Sequence, residues 1–188
     1  MSNSVTNHII EIYLDHFRAI YKRSDKSLME QIQHAVEDHA ENISKTYFEV
    51  LLSTTEGKNV LNQKIIQSEL APGLATWIPS LFAIRDNDED IIVYINQQLE
   101  IGKKNVRMNI PAHLCNLGNR VLKMEICNSV ISNNFSAKQT RNIYTQVTML
   151  VDTCLSISLE SYIDDKISIE KHSHALQNHM LGSELAET

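Results

Sequence analysis

Apolar residues recur every three or four positions over most of this chain, and that spacing predicts helices from one end to the other. Ile9, Ile12, Tyr13, His16, Phe17 and Ile20 fall on one face of a helix over 5–22. A longer helix is expected over 26–52, opened by Ser24 or Asp25 as cap. Leu28, Ile32, Ala35, Val36, His39, Ile43, Tyr47, Val50 and Leu51 drift along its buried side. The polar run Ser53-Thr54-Thr55-Glu56-Gly57 should end it.

Shorter pieces follow. Residues 58–61 have room for one helical turn, and 63–82 read as an interrupted helix. Pro72 suits a first turn, where its missing N–H is harmless, whereas Pro79 should kink the helix that contains it. Asp86-Asn87-Asp88 is a polar turn before a helix over 89–104, with Ile91, Ile92, Ile95 and Leu99 on its inner side. Asn109-Ile110-Pro111 resets the chain, because proline drives Ile110 out of the α region and then starts a helix that continues to about 133. Ser136 caps the last helix, whose stripe is Ile143, Val147, Leu150, Val151, Leu155, Ile157 and Leu159. Only five Gly and three Pro punctuate the chain. The class is therefore all-α, with seven or eight helices.

Charge narrows the partners. The net charge is −6, and the longest basic runs are pairs such as Lys103-Lys104, so a nucleic-acid-binding face is not expected. Cys115, Cys127 and Cys154 form no C-x-x-C pair and read as small buried hydrophobes of a reducing, cytoplasmic compartment. No segment has the make-up of a signal peptide or membrane span. No phosphate loop, paired-carboxylate motif or nucleophile signature is present, so this chain is not expected to be an enzyme by itself. His172, His174 and His179 lack the i,i+4 spacing of a metal pair and read as a solvated tail; no metal site is expected.

Two stretches carry a resemblance. The first is Tyr47-Phe48-Glu49-Val50-Leu51, followed by Val60-Leu61 and Leu74-Ala75-Thr76-Trp77-Ile78. The second is Arg107-Met108-Asn109-Ile110-Pro111, followed by Leu117-Gly118-Asn119-Arg120-Val121-Leu122-Lys123. In order and spacing they resemble the globin-coupled sensors, haem-based input domains that often precede a diguanylate cyclase or a chemotaxis module. The resemblance implies a globin-like sensor domain over 1–165, with an extra N-terminal helix over 1–25 and a helical linker or tail over 166–188. It further implies a homodimer through helices 111–133 and 136–162, and an output module downstream, such as a cyclase that makes cyclic di-GMP.

The family's proximal histidine opens an H-x-R-x-G-I-P pattern, and here that position is Asn105. The usual distal tyrosine falls on Asn42. A carboxamide is a poor axial ligand for haem iron, which is held by imidazole, thiolate, thioether or phenolate. Read without the family, Asn105 is a polar residue in the last turn of a helix and Trp77 a core residue. With it, Asn105, Asn42, Leu70, Leu74 and Trp77 line a pocket. Three versions of a sensor follow: a haem-free domain that takes another apolar ligand, a ligand-free platform for a protein partner, or a haem sensor with a substitute ligand. His39 and His113 are the candidates for that ligand, against plain readings as a half-buried and an exposed histidine; Lys103, Lys104 and Met108 flank Asn105. A different class, a stand-alone helical adaptor or scaffold, fits the same composition.

Overall fold

The computed structural model describes the backbone of residues 2–131 and 135–186, with side chains over the same stretches apart from 2–5, 172 and 175–186. The described residues are helical, with no strand among them: α1 Ser2–Arg23, α2 Lys26–Glu37, α3 Ala40–Ser53, α4 Thr55–Val60, α5 Gln63–Ile65, α6 Ala71–Ser80, α7 Asp88–Arg107, α8 Ala112–Ile131 and α9 Ala137–Ala186. A π-helical turn, Ile66–Leu70, joins α5 to α6. No helix among the described residues is long and apolar enough to cross a membrane.

Local chemistry sets the boundaries. The Asp25 side chain accepts the Leu28 amide at 3.2 Å and opens α2, and Asn87 does the same for Asp90 at 2.9 Å to open α7. Ser136 and Gln139 form a reciprocal capping box before α9. Pro72 sits at the start of α6 and Pro79 near its end, where the chain turns away through Leu81 and Phe82. The Asn109 backbone adopts φ 54°, the left-handed region that Asn tolerates better than most residues.

Two expectations need correction. The helix expected over 26–52 is two, because the chain bends at Asp38-His39. The drift of its apolar positions is the reason: a straight helix would carry the stripe off the core, whereas two segments each keep a face inward. Leu28, Met29, Ile32 and Val36 are buried on α2, and Ala40, Ile43, Ser44, Phe48 and Leu51 on α3. The turn expected at 58–61 begins earlier, since Thr54 accepts the Gly57 amide at 2.9 Å and turns a polar run into the first turn of α4.

Two apolar clusters result. The larger joins α1, α2, α6, α7, α8 and α9 around Phe17, Met29, Ile32, Ile78, Tyr94, Ile126 and Leu150. The smaller gathers Phe48, Leu51, Leu61, Ile66, Ile110 and Leu114, with half-buried Leu70, Met108 and Cys115 against it. Tyr47 and Leu74 pack against both. α9 continues without a break through 165–166, and its described side chains from 166 to 171 are exposed.

Candidate ligand cleft between α6, α7 and α8

α7 packs on α9 along the most extensive helix pair of the molecule, and also on α1. α6 and α8 both pack on α3. Between α7 and either α6 or α8, however, the backbones approach at few points at most. Helices in contact lie about 8–10 Å apart, so α7 is held away from α6 and α8. Side chains fill the space between: Ile78 of α6, Ile95 and Leu99 of α7, and Leu122 and Ile126 of α8 are buried in one cluster.

Which side chains face that space follows from where each helix is otherwise engaged. On the α9 side of α7, Ser158 Oγ donates to the Gln98 carbonyl at 3.1 Å and Ser161 Oγ to the Leu99 carbonyl at 2.8 Å. Gly102 lies there too, so close that a Cβ would stand 2.1 Å from the Ser158 carbonyl oxygen. The Gln98 side chain crosses the other way and accepts the Trp77 indole N–H of α6 at 3.2 Å. Gln98 is fully buried, and its amide Nε2 has no hydrogen-bond partner. Asn105 lies two turns further along that face of α7 and is half-buried.

Leu74 and Trp77, both half-buried, come from α6. The π turn before it advances α6 by a fraction of a turn, a distortion often found at functional sites. Leu70 ends that turn and packs into the smaller cluster. Tyr47 of α3 lies against Gly118 of α8, whose missing Cβ would stand 2.4 Å from the tyrosine oxygen. Burial pushes the Tyr47 phenol up and the Cys115 thiol up to about 11. Tyr47 nonetheless keeps some accessible surface, as do Cys115 and Asn119. Asn119 Nδ2 is also buried without a partner.

The set expected from sequence divides. Asn105 is half-buried near the end of α7, and Leu70, Leu74 and Trp77 pack against the apolar clusters. Asn42 and His39 do not: both side chains are exposed, at the outer start of α3, and His39 is its N-cap residue rather than half-buried. His113 is exposed and pairs with Glu56 of α4. Lys103 pairs with Glu100 at 2.6 Å, Lys104 is exposed and Met108 is half-buried. Sequence reasoning missed the buried amide nitrogens of Gln98 and Asn119, which have no partner among the described residues. For Gln98 a signal existed, a glutamine between Ile95 and Leu99 on an apolar face. Of the histidine tail, His174 is exposed, and the His172 and His179 side chains lie outside the described residues. Among the described residues no group of three His, Cys, Asp or Glu is placed to hold a metal ion.

The donor set does not suit haem iron. Every described imidazole, those of His8, His16, His34, His39, His113 and His174, is exposed. Near the cleft the remaining donors are the Cys115 thiol and the Tyr47 phenol, both held protonated by burial, and the Met108 thioether. Only the deprotonated sulfur or oxygen would bind ferric iron strongly.

Comparison with known proteins places the architecture. The chain is 17% identical over 157 residues to the diguanylate cyclase DosC of Escherichia coli K12, which covers 84% of this chain but 34% of that protein. It thus spans about a third of the cyclase. The ferric crystal structure of the globin domain of E. coli DosC superposes with a TM-score of 0.72 at 18% identity, covering 78% of this chain and 97% of that one. The globin domain of the Geobacter sulfurreducens globin-coupled sensor gives 0.65 at 22% identity, covering 79% and 96%. The protoglobin family model matches residues 5–168. An all-α fold of this kind, matched over most of its length, makes the chain a member of the protoglobin family with the globin fold of a globin-coupled sensor.

Proposed function

We propose that this chain is a haem-free signal-input domain whose cleft binds an apolar ligand and whose α9 carries the bound state to an output module. The observation that carries the reading is the lack of an imidazole: the position that matches the family's proximal histidine is Asn105, and every described histidine is exposed. The left-handed Asn109 supports that register, because it falls on the glycine of H-x-R-x-G-I-P, where a positive φ explains the family's residue.

The relay is built into the contact between α7 and α9. Gln98 gives its side-chain oxygen to Trp77 of α6 and its carbonyl to Ser158 of α9. A ligand that favours one placement of α7 therefore favours one placement of α9. Output through a diguanylate cyclase is the form that the DosC likeness supports, in a cytoplasmic protein. A homodimer through α8 and α9 fits the exposed Met124 and Tyr144 on those helices, and Ile163 and Ile167, one turn apart further along α9. Residues after 165 then serve as linker.

An absorption spectrum with added hemin tests the haem-free reading. The wild-type protein should leave hemin with the spectrum of the free cofactor, whereas Asn105→His should generate a sharp Soret band that responds to reduction and carbon monoxide. A Soret band of that kind in the wild type would overturn the reading and direct mutagenesis to Met108, Cys115 and Tyr47.

A further inference from the structure

A groove of about 840 Å³ follows the contact between α3 and α6 and continues past the π turn. No residue of α7, α8 or α9 among those described lines it. Its floor comes from two rows at i,i+4 spacing, which keeps each row on one helix face. Ala40, Ser44 and Phe48 form the row on α3, and Ala71, Ala75 and Pro79 the row on α6. Most of these side chains are small, so the two helices come close and leave a trough above the seam. The Ser44 hydroxyl already donates to the Ala71 carbonyl at 2.8 Å. The floor therefore offers apolar contact and no free side-chain donor.

The two rims differ in charge. The α6 rim, with Gln67 and Thr76, carries none, whereas the α3 rim holds Glu37, Glu41, Lys45 and Glu49. Lys45 reaches Glu49 at 3.8 Å, which leaves the exposed Glu37 and Glu41, one turn apart, at one end of the trough. Glu37 meets the His34 ring at 3.8 Å, and Glu41 has no ion-pair partner among the described residues. We infer that this groove binds an amphiphilic cation: an aliphatic or aromatic body lies on the floor, and an amine or quaternary ammonium group meets Glu37 and Glu41. An anionic amphiphile would set its head group against those carboxylates, and the one lysine on the rim is already paired. A docked protein would need more apolar surface than the trough, because specific interfaces bury about 800 Å² on each partner. No exposed large hydrophobic side chain lines this groove. The inference stands apart from the cleft proposed above, since Leu74 and Trp77 line no part of the groove.

Amide nuclear magnetic resonance spectra of the whole chain should be followed as it is titrated with octyltrimethylammonium, 1-octanol and octanoate, which share a chain length and differ in head-group charge. The amides of Ser44, Phe48, Ala71 and Ala75 should shift saturably with octyltrimethylammonium. That cation should bind about fivefold more tightly than 1-octanol, and octanoate more weakly than either. Glu41→Gln, at an exposed position, should weaken the cation by about twofold to fivefold, the range of one exposed ion pair, and leave 1-octanol unchanged. Ala75→Leu should weaken all three by filling the floor, while the rest of the amide spectrum keeps its folded pattern. Equal affinity for cation and alcohol, or a Glu41→Gln protein that binds the cation as tightly as the wild type, would overturn the charge selection. Shifts confined to other surfaces, or no saturable shift with octyltrimethylammonium, would overturn the site itself. Neither result bears on hemin, so failure here is distinct from failure of the haem-free reading.

Discussion

Two glycines sit in close helix contacts, and their surroundings differ in what could give way. Gly102 on α7 faces main chain: an added Cβ would stand 2.1 Å from the Ser158 carbonyl oxygen and 2.9 Å from Ser161 Cβ. Gly118 on α8 faces a side chain, the ring of Tyr47, with its nearest atoms at 2.4, 2.5 and 2.6 Å. The first contact locks two helices, and serine hydroxyls reaching across to the carbonyls of Gln98 and Leu99 tighten it. The second rests on a ring that can rotate. The same substitution at the two sites should therefore read the difference between a rigid transmitting seam and an adjustable binding wall.

The largest effect is expected at the seam. Replacing Gly102 by alanine gains roughly 1 kcal/mol of helix propensity, but the methyl can be accommodated only by moving α7 and α9 apart. A net loss of about 3 kcal/mol is expected, the upper range for overpacking, equivalent to a fall in Tm of roughly 6–12 °C for a chain of this size. Thermal unfolding followed by circular dichroism measures it directly. A Tm within about 2 °C of wild type would mean that the seam yields as easily as the wall, and the comparison would fail.

Gly118→Ala should cost less, a net of about 1 kcal/mol or below, because the propensity gain offsets a clash that Tyr47 can relieve. Its signature lies elsewhere. A displaced Tyr47 ring leaves its edge contact with Phe48, so the near-ultraviolet circular dichroism should change although Tm scarcely does. An unaltered aromatic spectrum would mean that the ring had not moved.

This contrast also marks where sequence reading stops. Helix faces were legible because burial repeats with helical period: Ile91, Ile95 and Leu99 are buried as expected on α7, and Ile143, Val147, Leu150 and Val151 on α9. The later part of the α9 stripe was not, since Leu155 and Leu159 are only half-buried while Ser158 and Ser161 are buried. Those serines look polar in a sequence, but each satisfies its hydroxyl on an α7 carbonyl. Gly102 likewise reads as a weak helix residue until its neighbour is known. Asn105 and Asn109 are related by one motif, whereas Asn42 rested on register along a helix taken as unbroken, which the chain interrupts at Asp38-His39.

The thiols offer the finest comparison, because burial raises all three but leaves them unequally reachable. Cys154 lies behind the α7–α9 seam in contact with Tyr94, and its thiol is pushed up to about 12, whereas half-buried Cys115 beside the cleft stands at about 11. Cys127, also at about 11, is buried in the larger cluster. A thiol whose pKa is higher folded than unfolded favours the folded state while both forms are protonated. That contribution is complete below the ordinary thiol value of 9.0 and is lost as pH rises from there through about 11. Tm should thus be level with respect to these groups below pH 9 and decline above it. Below its pKa, Cys115 should be alkylated by iodoacetamide about tenfold faster for each unit of pH, as the thiolate fraction grows. Cys154 should stay unmodified until the chain unfolds. Mass spectrometry of the modified peptides separates the sites. If Cys154 reacted as fast as Cys115 under folding conditions, the seam would be opening as readily as the cleft, and α9 would not report faithfully what α7 binds.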